Sequence, residues 1–180
     1  MRIVAGRFRS RTLIAPKTSA TRPTTDRARE SLFNVLTNHI SFEGIRVLDL
    51  FAGSGALGFE ALSRGAEHVI FVERDKQAID TIKANAEALG VTLEIQIKKE
   101  DVFTFVTHHH DLYDLILSDA PYDSAPARLQ LPTTLVHRIA TGGVIAIEHR
   151  TGDEIVLPEG TRLIRELKAG EASFTIFQLS

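Results

Sequence analysis

The stretch Arg46-Val47-Leu48-Asp49-Leu50-Phe51-Ala52-Gly53-Ser54-Gly55-Ala56-Leu57-Gly58 decides the fold. Arg46 to Phe51 is apolar and β-prone, the composition of a strand buried on both faces. Three glycines at G-x-G-x-x-G spacing then lead into a helical pattern, Ser54 to Arg64, that stops at Gly65. Glycines let a backbone approach a ligand closely where a strand turns into a helix. The next apolar run, Val69 to Glu73, ends in a carboxylate placed to accept hydrogen bonds from a ribose diol. Read literally the fingerprint is that of a dinucleotide site, yet the same physics serves any adenosine-containing cofactor. Asp49, four residues before Gly53, would repel a pyrophosphate and suits a ligand bearing an ammonium group.

Downstream the alternation continues. A helix is predicted over Lys76 to Leu89 with Gly90 as its stop, strands over Leu93 to Ile97 and Tyr113 to Leu117, a helix from Ala127 to Ala140, and a strand over Val144 to Glu148. Arg162 to Leu167 and Ser173 to Leu179, around Gly170, read as an antiparallel hairpin. Repeated βα units imply a parallel sheet covered on both faces. Upstream, Thr24-Thr25-Asp26 is a helix start, and Ala28, Leu32, Val35, Leu36 and Ile40 give that helix a buried stripe.

The 180 residues are 43% hydrophobic and 24% charged, the balance of one folded domain. Without cysteine the chain forms no disulfide, thiolate nucleophile or cysteine-ligated metal site. No apolar run approaches the roughly 18 residues that span a bilayer, and arginines stand where a signal peptide would be apolar, so the expected location is the cytoplasm. The net charge of −2 hides an asymmetry. Residues 1–30 hold eight bases (Arg2, Arg7, Arg9, Arg11, Lys17, Arg22, Arg27, Arg29) against Asp26 and Glu30, a segment of +6 that leaves −8 on the rest. A basic arm on an acidic body suggests a polyanionic partner. Alternation from Arg7 to Ile14 predicts an extended strand with Arg7, Arg9 and Arg11 on one face, spaced to meet successive phosphates. Pro16 and Pro23 bracket a loop, Lys17 to Arg22.

Ser118-Asp119-Ala120-Pro121-Tyr122 closes the fourth strand, where an open α/β sheet opens into its ligand crevice. Asp119 and the Ala120 carbonyl can accept hydrogen bonds from an amine on a flat heterocycle, and Tyr122 can stack on the ring. His108-His109-His110 does not read as a metal site, because consecutive side chains on an extended chain point apart. Phe103 and Phe105 read as packing residues.

Asp49 to Gly58, Val72-Glu73 and Asp119 to Tyr122 together resemble the class I S-adenosylmethionine-dependent amino-methyltransferases, whose signature is [D/N]-P-P-[Y/F]. Met1 to Gly6, Arg22 to Glu30 and Leu62 to Ala66 are similar to the RsmD family within them, guanine-N2 methyltransferases of small-subunit ribosomal RNA. The resemblance implies a Rossmann-like, seven-stranded, mostly parallel sheet with an antiparallel C-terminal hairpin, preceded by a basic N-terminal β-hairpin; residues 1–23 would form the arm and 24–180 the methyltransferase domain. It implies S-adenosyl-L-methionine as cofactor, with Asp49 and the backbone of Phe51, Ala52, Gly53, Ser54 and Gly55 at its methionyl end. Glu73 with Arg74 would hold the ribose, and Asp101 with Val102 the adenine; Glu100 stands beside Asp101 and could exchange roles with it. Asp119, Ala120, Pro121 and Tyr122 would hold the flipped base, and Arg7, Arg9, Arg11 and Arg22 the RNA. The implied partner is 16S rRNA, free or in a partly assembled 30S subunit, bound by a monomer without metal or membrane. The chain departs from the family at Ala120, where the pattern has proline; the carbonyl acceptor survives and one rigid φ is lost. The residues leave other readings open: an amino-methyltransferase acting on adenine N6 or cytosine N4, a non-catalytic RNA-binding assembly factor on the same scaffold, and a nicotinamide-dependent oxidoreductase.

Overall fold

The computed structural model describes residues 1–15, 25–120 and 131–180. Its elements in chain order are α1 (Asp26–Thr37), β1 (Arg46–Leu50), α2 (Ala56–Arg64), β2 (His68–Glu73), α3 (Lys76–Leu89), β3 (Ile95–Lys99), α4 (Val102–His108), β4 (Tyr113–Asp119), β5 (Ile139–Arg150), β6 (Thr161–Ala169) and β7 (Ala172–Leu179). The seven strands form one sheet in the order β3-β2-β1-β4-β5-β7-β6. β1 to β5 run parallel, and β7 inserts antiparallel between β5 and β6. Order reverses at β1, whose neighbours are β2 and β4, so a crevice opens beyond the C-terminal ends of these strands.

Strand side chains alternate between two apolar layers. Val47, Val69, Leu115 and Val144 meet Leu32, Phe33 and Leu36 of α1, Phe59 and Leu62 of α2, and Ile82 and Ala86 of α3. Leu48, Ile70, Ile116 and Ile145 meet Val102, Phe105 and Val106 of α4 together with Leu131 and Leu135. The helix ends follow local chemistry. Thr25 and Asp75 cap α1 and α3 by accepting from Ala28 N and Ala78 N, and α3 ends on Gly90 at φ 73°. Among the described residues no helix is long and apolar enough to cross a membrane.

Three local readings are corrected. β3 begins at Ile95 because a turn from Val91 to Glu94 leaves Leu93 fully out in solvent. The helix expected to reach Ala140 is helical only over residues 131–135 of its described part, and after a 3-10 turn at Val136–Arg138 the chain is already in β5. Ile139 pairs with Tyr113, the ladder slips, and pairing resumes at Leu115 with Val144, the bulge taking up Ala140 to Gly143.

The third is the run Arg7 to Ile14, which is not a strand. The chain reverses through residues 5–10 and returns so that Arg2 and Thr12 form an antiparallel bridge, with Ser10 at φ 68°. Ile3 and Leu13, on either side of this reversal, are buried in the layer below α2. The three arginines consequently diverge. Arg7 pairs with Glu94, Arg11 donates to the Ala88 carbonyl, and Arg9 is exposed, its backbone N–H donating to the Gly6 carbonyl and its guanidinium making no hydrogen bond or ion pair with the described residues. The expected loop from Lys17 to Arg22, with Pro16 and Pro23, lies outside the described residues, as do Pro121 and Tyr122.

Candidate active site

The turn from β1 into α2 holds the expected glycines and one residue that strains to be there. Phe51 has φ 56°, a conformation that costs a large side chain about 1–3 kcal/mol and is retained where the surroundings over-determine it. Its ring packs edge-on against Phe103, centroids 6.2 Å apart. Helix α2 starts two residues later than the pattern predicts, since Gly55 adopts φ 77° at the N-cap. Gly58 is required by packing: a Cβ there would lie 2.3 Å from the Phe71 ring of β2. The helix therefore lies close on the sheet with its first amides aimed at the strand ends.

Asp49 meets those amides. It is 1% exposed and its Oδ2 accepts from Gly58 N at 2.8 Å. Burial pushes its carboxyl well above the usual range, the Gly58 hydrogen bond opposes this, and the charges of Asp119 and Glu73 push it further up. Glu73, at the end of β2, accepts from Gly53 N through Oε2 at 2.9 Å, and from Arg74 N and Asp75 N through Oε1 at 2.8 Å each. It thus fastens the glycine-rich turn to the second strand. Asp119 is the last residue of β4, and Ala120 after it is buried. Three carboxylates from adjacent strands so face one crevice. Among the described residues no three His, Asp or Glu side chains group closely enough to hold a metal ion. A site of this kind is electrostatically suited to an extended organic cation.

Beyond β3, Asp101 caps α4, its Oδ1 accepting from Phe103 N at 2.9 Å and Thr104 N at 3.3 Å, while Oδ2 faces Arg74 Nη1 at 3.6 Å. Arg74 and Asp101 are therefore neighbours across the tips of β2 and β3, and Val102 is buried behind them. Glu100 turns away to His109 at 3.2 Å; His109 stacks on Phe105 and His108 bonds the Thr104 carbonyl. Sequence reasoning missed Glu148, the register partner of Asp119 on β5 and 4% exposed. Its signal was a carboxyl closing an otherwise apolar run, Val144 to Ile147.

The family model described as Conserved hypothetical protein 95 matches residues 1–178. Ribosomal RNA small subunit methyltransferase D of Haemophilus influenzae is 31% identical over 99% of this chain and 93% of its own. The chain belongs to this family, the RsmD methyltransferases. YlbH of Bacillus subtilis, named for rRNA methyltransferase activity, is 40% identical over 88% of this chain and 86% of its own length. The solved structure of yhhF from Escherichia coli, named as a methyltransferase, superimposes with a TM-score of 0.86 at 29% identity, covering 100% of this chain and 98% of that one. More distant chains of the same fold include one from Streptococcus mutans named as a SAM-dependent methyltransferase and one named as a methyltransferase and solved with SAH.

The described parts of the stretches that carried the resemblance, Met1 to Gly6, Thr25 to Glu30 and Leu62 to Ala66, meet in space. Gly6, at φ 79°, lies so close over α2 that a Cβ would stand 1.8 Å from the Ser63 carbonyl oxygen. Arg7 N donates to that same carbonyl at 2.7 Å and Phe8 N to Ser63 Oγ at 2.9 Å, while Ser63 Oγ donates to the Ala5 carbonyl. Glu60, fully buried one turn earlier, accepts from Val4 N at 2.8 Å, Ala5 N at 3.1 Å and Arg64 Nε at 2.9 Å. Arg29, fully buried on α1, lies 3.8 Å from Glu60 and donates to Asp26 at 2.9 Å and to the Arg2 carbonyl. One of the bases counted toward an RNA-facing arm is thus an internal strut. Sequence spacing held the clue: Arg29 shares the helical stripe of Leu32, Phe33 and Leu36, and Glu60 that of Leu57 and Ala61.

Proposed function

We propose that this chain transfers a methyl group from S-adenosyl-L-methionine to the exocyclic N2 amine of a guanine in 16S rRNA, free or within a partly assembled 30S subunit. The observation that carries the reading is Asp49, a buried carboxylate at the switch point of the sheet, flanked by Glu73 and Asp119 and beneath a turn held at a strained Phe51. Such a pocket favours a ligand whose cationic end neutralises Asp49. Asp49 and the backbone from Phe51 to Gly55 would hold the methionyl end, Glu73 the ribose hydroxyls, and Asp101, with Arg74 and Val102 beside it, the adenine. When bound, the cofactor supplies an electrophilic methyl on a sulfonium.

The protein's own task is to orient a poor nucleophile, since the lone pair of a guanine amine is delocalised into its ring. Asp119 and the Ala120 carbonyl would accept the amine hydrogens, favour its pyramidal form and stabilise the positive charge that grows as the methyl arrives. A paired base is out of reach, so the target is single-stranded or flipped; Pro121 and Tyr122 would lie against it and Arg9 and Arg22 would meet the phosphates, Arg7 and Arg11 being engaged by Glu94 and the Ala88 carbonyl. Membership of the RsmD methyltransferases supports both the reaction and the rRNA substrate.

The test pairs two variants. Asp119→Ala should abolish methyl transfer while SAH affinity stays within a few-fold. Glu73→Ala should weaken SAH binding by about 1.5–3 kcal/mol, the worth of a hydrogen bond to a charged acceptor. Nucleoside analysis of methylated RNA should show N2-methylguanosine. Turnover by Asp119→Ala, or a product methylated on adenine or cytosine, would overturn the assignment.

A further inference from the structure

Asn85 is 1% exposed in the middle of α3, and every hydrogen bond of its side chain leaves the helix. Oδ1 accepts from Ile14 N at 2.8 Å; Nδ2 donates to the Ile14 carbonyl and to the Ser54 carbonyl, both at 3.1 Å. Toward Ile14 the amide behaves as a neighbouring β-strand would, satisfying both backbone groups of one residue. Toward Ser54 it holds the central peptide of the glycine-rich turn. The Ser54 carbonyl and the Gly55 N–H lie in one peptide plane, which turns about the φ bond of Gly55, at 77°, where no Cβ restricts the rotation. Ser54 is fastened to the same segment a second time, its Oγ donating to Met1 Sδ at 3.4 Å.

We infer that Asn85 is a positioning residue for the cofactor turn, and that through it residues 1–15 form part of the cofactor site as well as an RNA-facing element. The inference rests on the assignment of the turn to the cofactor made above. The bond to the Ser54 carbonyl fixes the plane of the Ser54–Gly55 peptide, and with it the Gly55 N–H that closes the turn on the Ala52 carbonyl at 2.7 Å, while Glu73 holds the Gly53 N–H from the other side. Ile14 and Leu13, whose amide bonds the Met1 carbonyl, keep Asn85 in place from the other side. Ordering either partner should therefore order the other, a coupling between segment and ligand in the thermodynamic sense.

Hydrogen exchange on the unaltered protein tests this directly. Saturating SAH should slow exchange of the Ile14 amide and of the peptide spanning residues 1–15 severalfold; no change there, with protection confined to the strand ends, would overturn the inference. Asn85→Ala should weaken SAH binding about tenfold, the equivalent of one lost hydrogen bond, and raise the KM for S-adenosylmethionine while kcat stays within about twofold. A residue that served only to stabilise the fold would lower Tm and leave SAH affinity unchanged at temperatures well below it. Leu13→Ala, which loosens the segment without touching the turn, should weaken SAH binding in the same direction. Unchanged SAH affinity in both variants would refute the coupling. Glu73→Ala separates the two levels: if it too left SAH binding intact, the cofactor assignment itself would fall, whereas a loss confined to Glu73→Ala would refute the role of Asn85 alone.

Discussion

Glu60→Gln isolates the energetics of the docked N-terminal segment. The wild-type carboxylate has no exposed surface and serves four donors: Val4 N, Ala5 N and Arg64 Nε by hydrogen bonds of 2.8–3.1 Å, and Arg29 by charge at 3.8 Å. Both of its oxygens accept from backbone amides, so an amide substituent must turn its NH₂ group toward the N–H of Val4 or of Ala5. The substitution also leaves the Arg29 guanidinium, equally buried, with Asp26 as its remaining anionic neighbour. Removing one partner of a buried pair costs about 3–5 kcal/mol. For a domain of this size, at about 2–4 °C per kcal/mol, Tm should fall by roughly 6–20 °C. Thermal unfolding followed by circular dichroism measures this, and hydrogen exchange should show residues 1–15 losing protection first. The double variant Arg29→Met/Glu60→Leu should recover part of the loss, since the fully buried Arg29 charge is gone, but not all, because the Val4 and Ala5 amides still lack an acceptor and Arg64 its carboxylate. A Tm within 2 °C of wild type for Glu60→Gln would refute the reasoning.

Asp49→Asn should raise the Tm of the ligand-free protein at neutral pH by a few degrees, because the raised carboxyl pKa means that ionisation costs stability, fully present below the unfolded value and lost as pH rises through the folded one. The same variant should lose SAH affinity and its pH dependence: in wild type, binding should tighten as pH rises through the raised Asp49 pKa and then level off, read by calorimetry across a pH series. A flat wild-type profile would separate Asp49 from the ligand's cation. Gly6→Ala should destabilise by about 2 kcal/mol or more in denaturant titrations, since the new methyl meets a backbone oxygen at 1.8 Å and φ is 79°; a neutral result would contradict the docked geometry. Arg9→Gln should reduce the slope of log K against log salt for RNA binding by about 0.7 with SAH affinity unchanged, Arg9 being the member of the Arg7, Arg9, Arg11 set that the body does not engage. An unaltered slope would move RNA recognition elsewhere.

Much of the frame was legible because it depends on short-range chemistry. Asp75, the stripe from Ala78 to Leu89 and Gly90 specify α3 to the residue. The carboxylates Asp49, Glu73 and Asp119 could be placed at strand tips for the same reason: each ends or nearly ends an apolar run. Illegible parts depend on partners far away in the chain. Arg7 to Thr12 alternates like a strand, yet the backbone of Ser63 takes the amide of Arg7 and turns it. Ile139 looks like the end of a helix until Tyr113 lies beside it. Asn85 reads as one more polar residue on an exposed helix, and only Ile14 and Ser54, folded against it, reveal otherwise.

The sheet ends at two open edges, β3 and β6. Both carry a surplus of base, Lys98 and Lys99 on β3, and Arg162, Arg165 and Lys168 against Glu166 exposed along β6. On a body that is acidic overall, positive charge concentrated on the strand borders means that two copies brought edge to edge repel one another where their backbone groups could otherwise pair. Colloidal behaviour then becomes a property of border side chains, of which Arg162, Arg165 and Lys168 stand on the edge farthest from Glu73. Neutralising them, or screening them at high salt, would turn the borders into templates for intermolecular β-pairing while the folded catalytic centre stayed unchanged, so the concentration at which the protein remains dispersed and its turnover can vary independently.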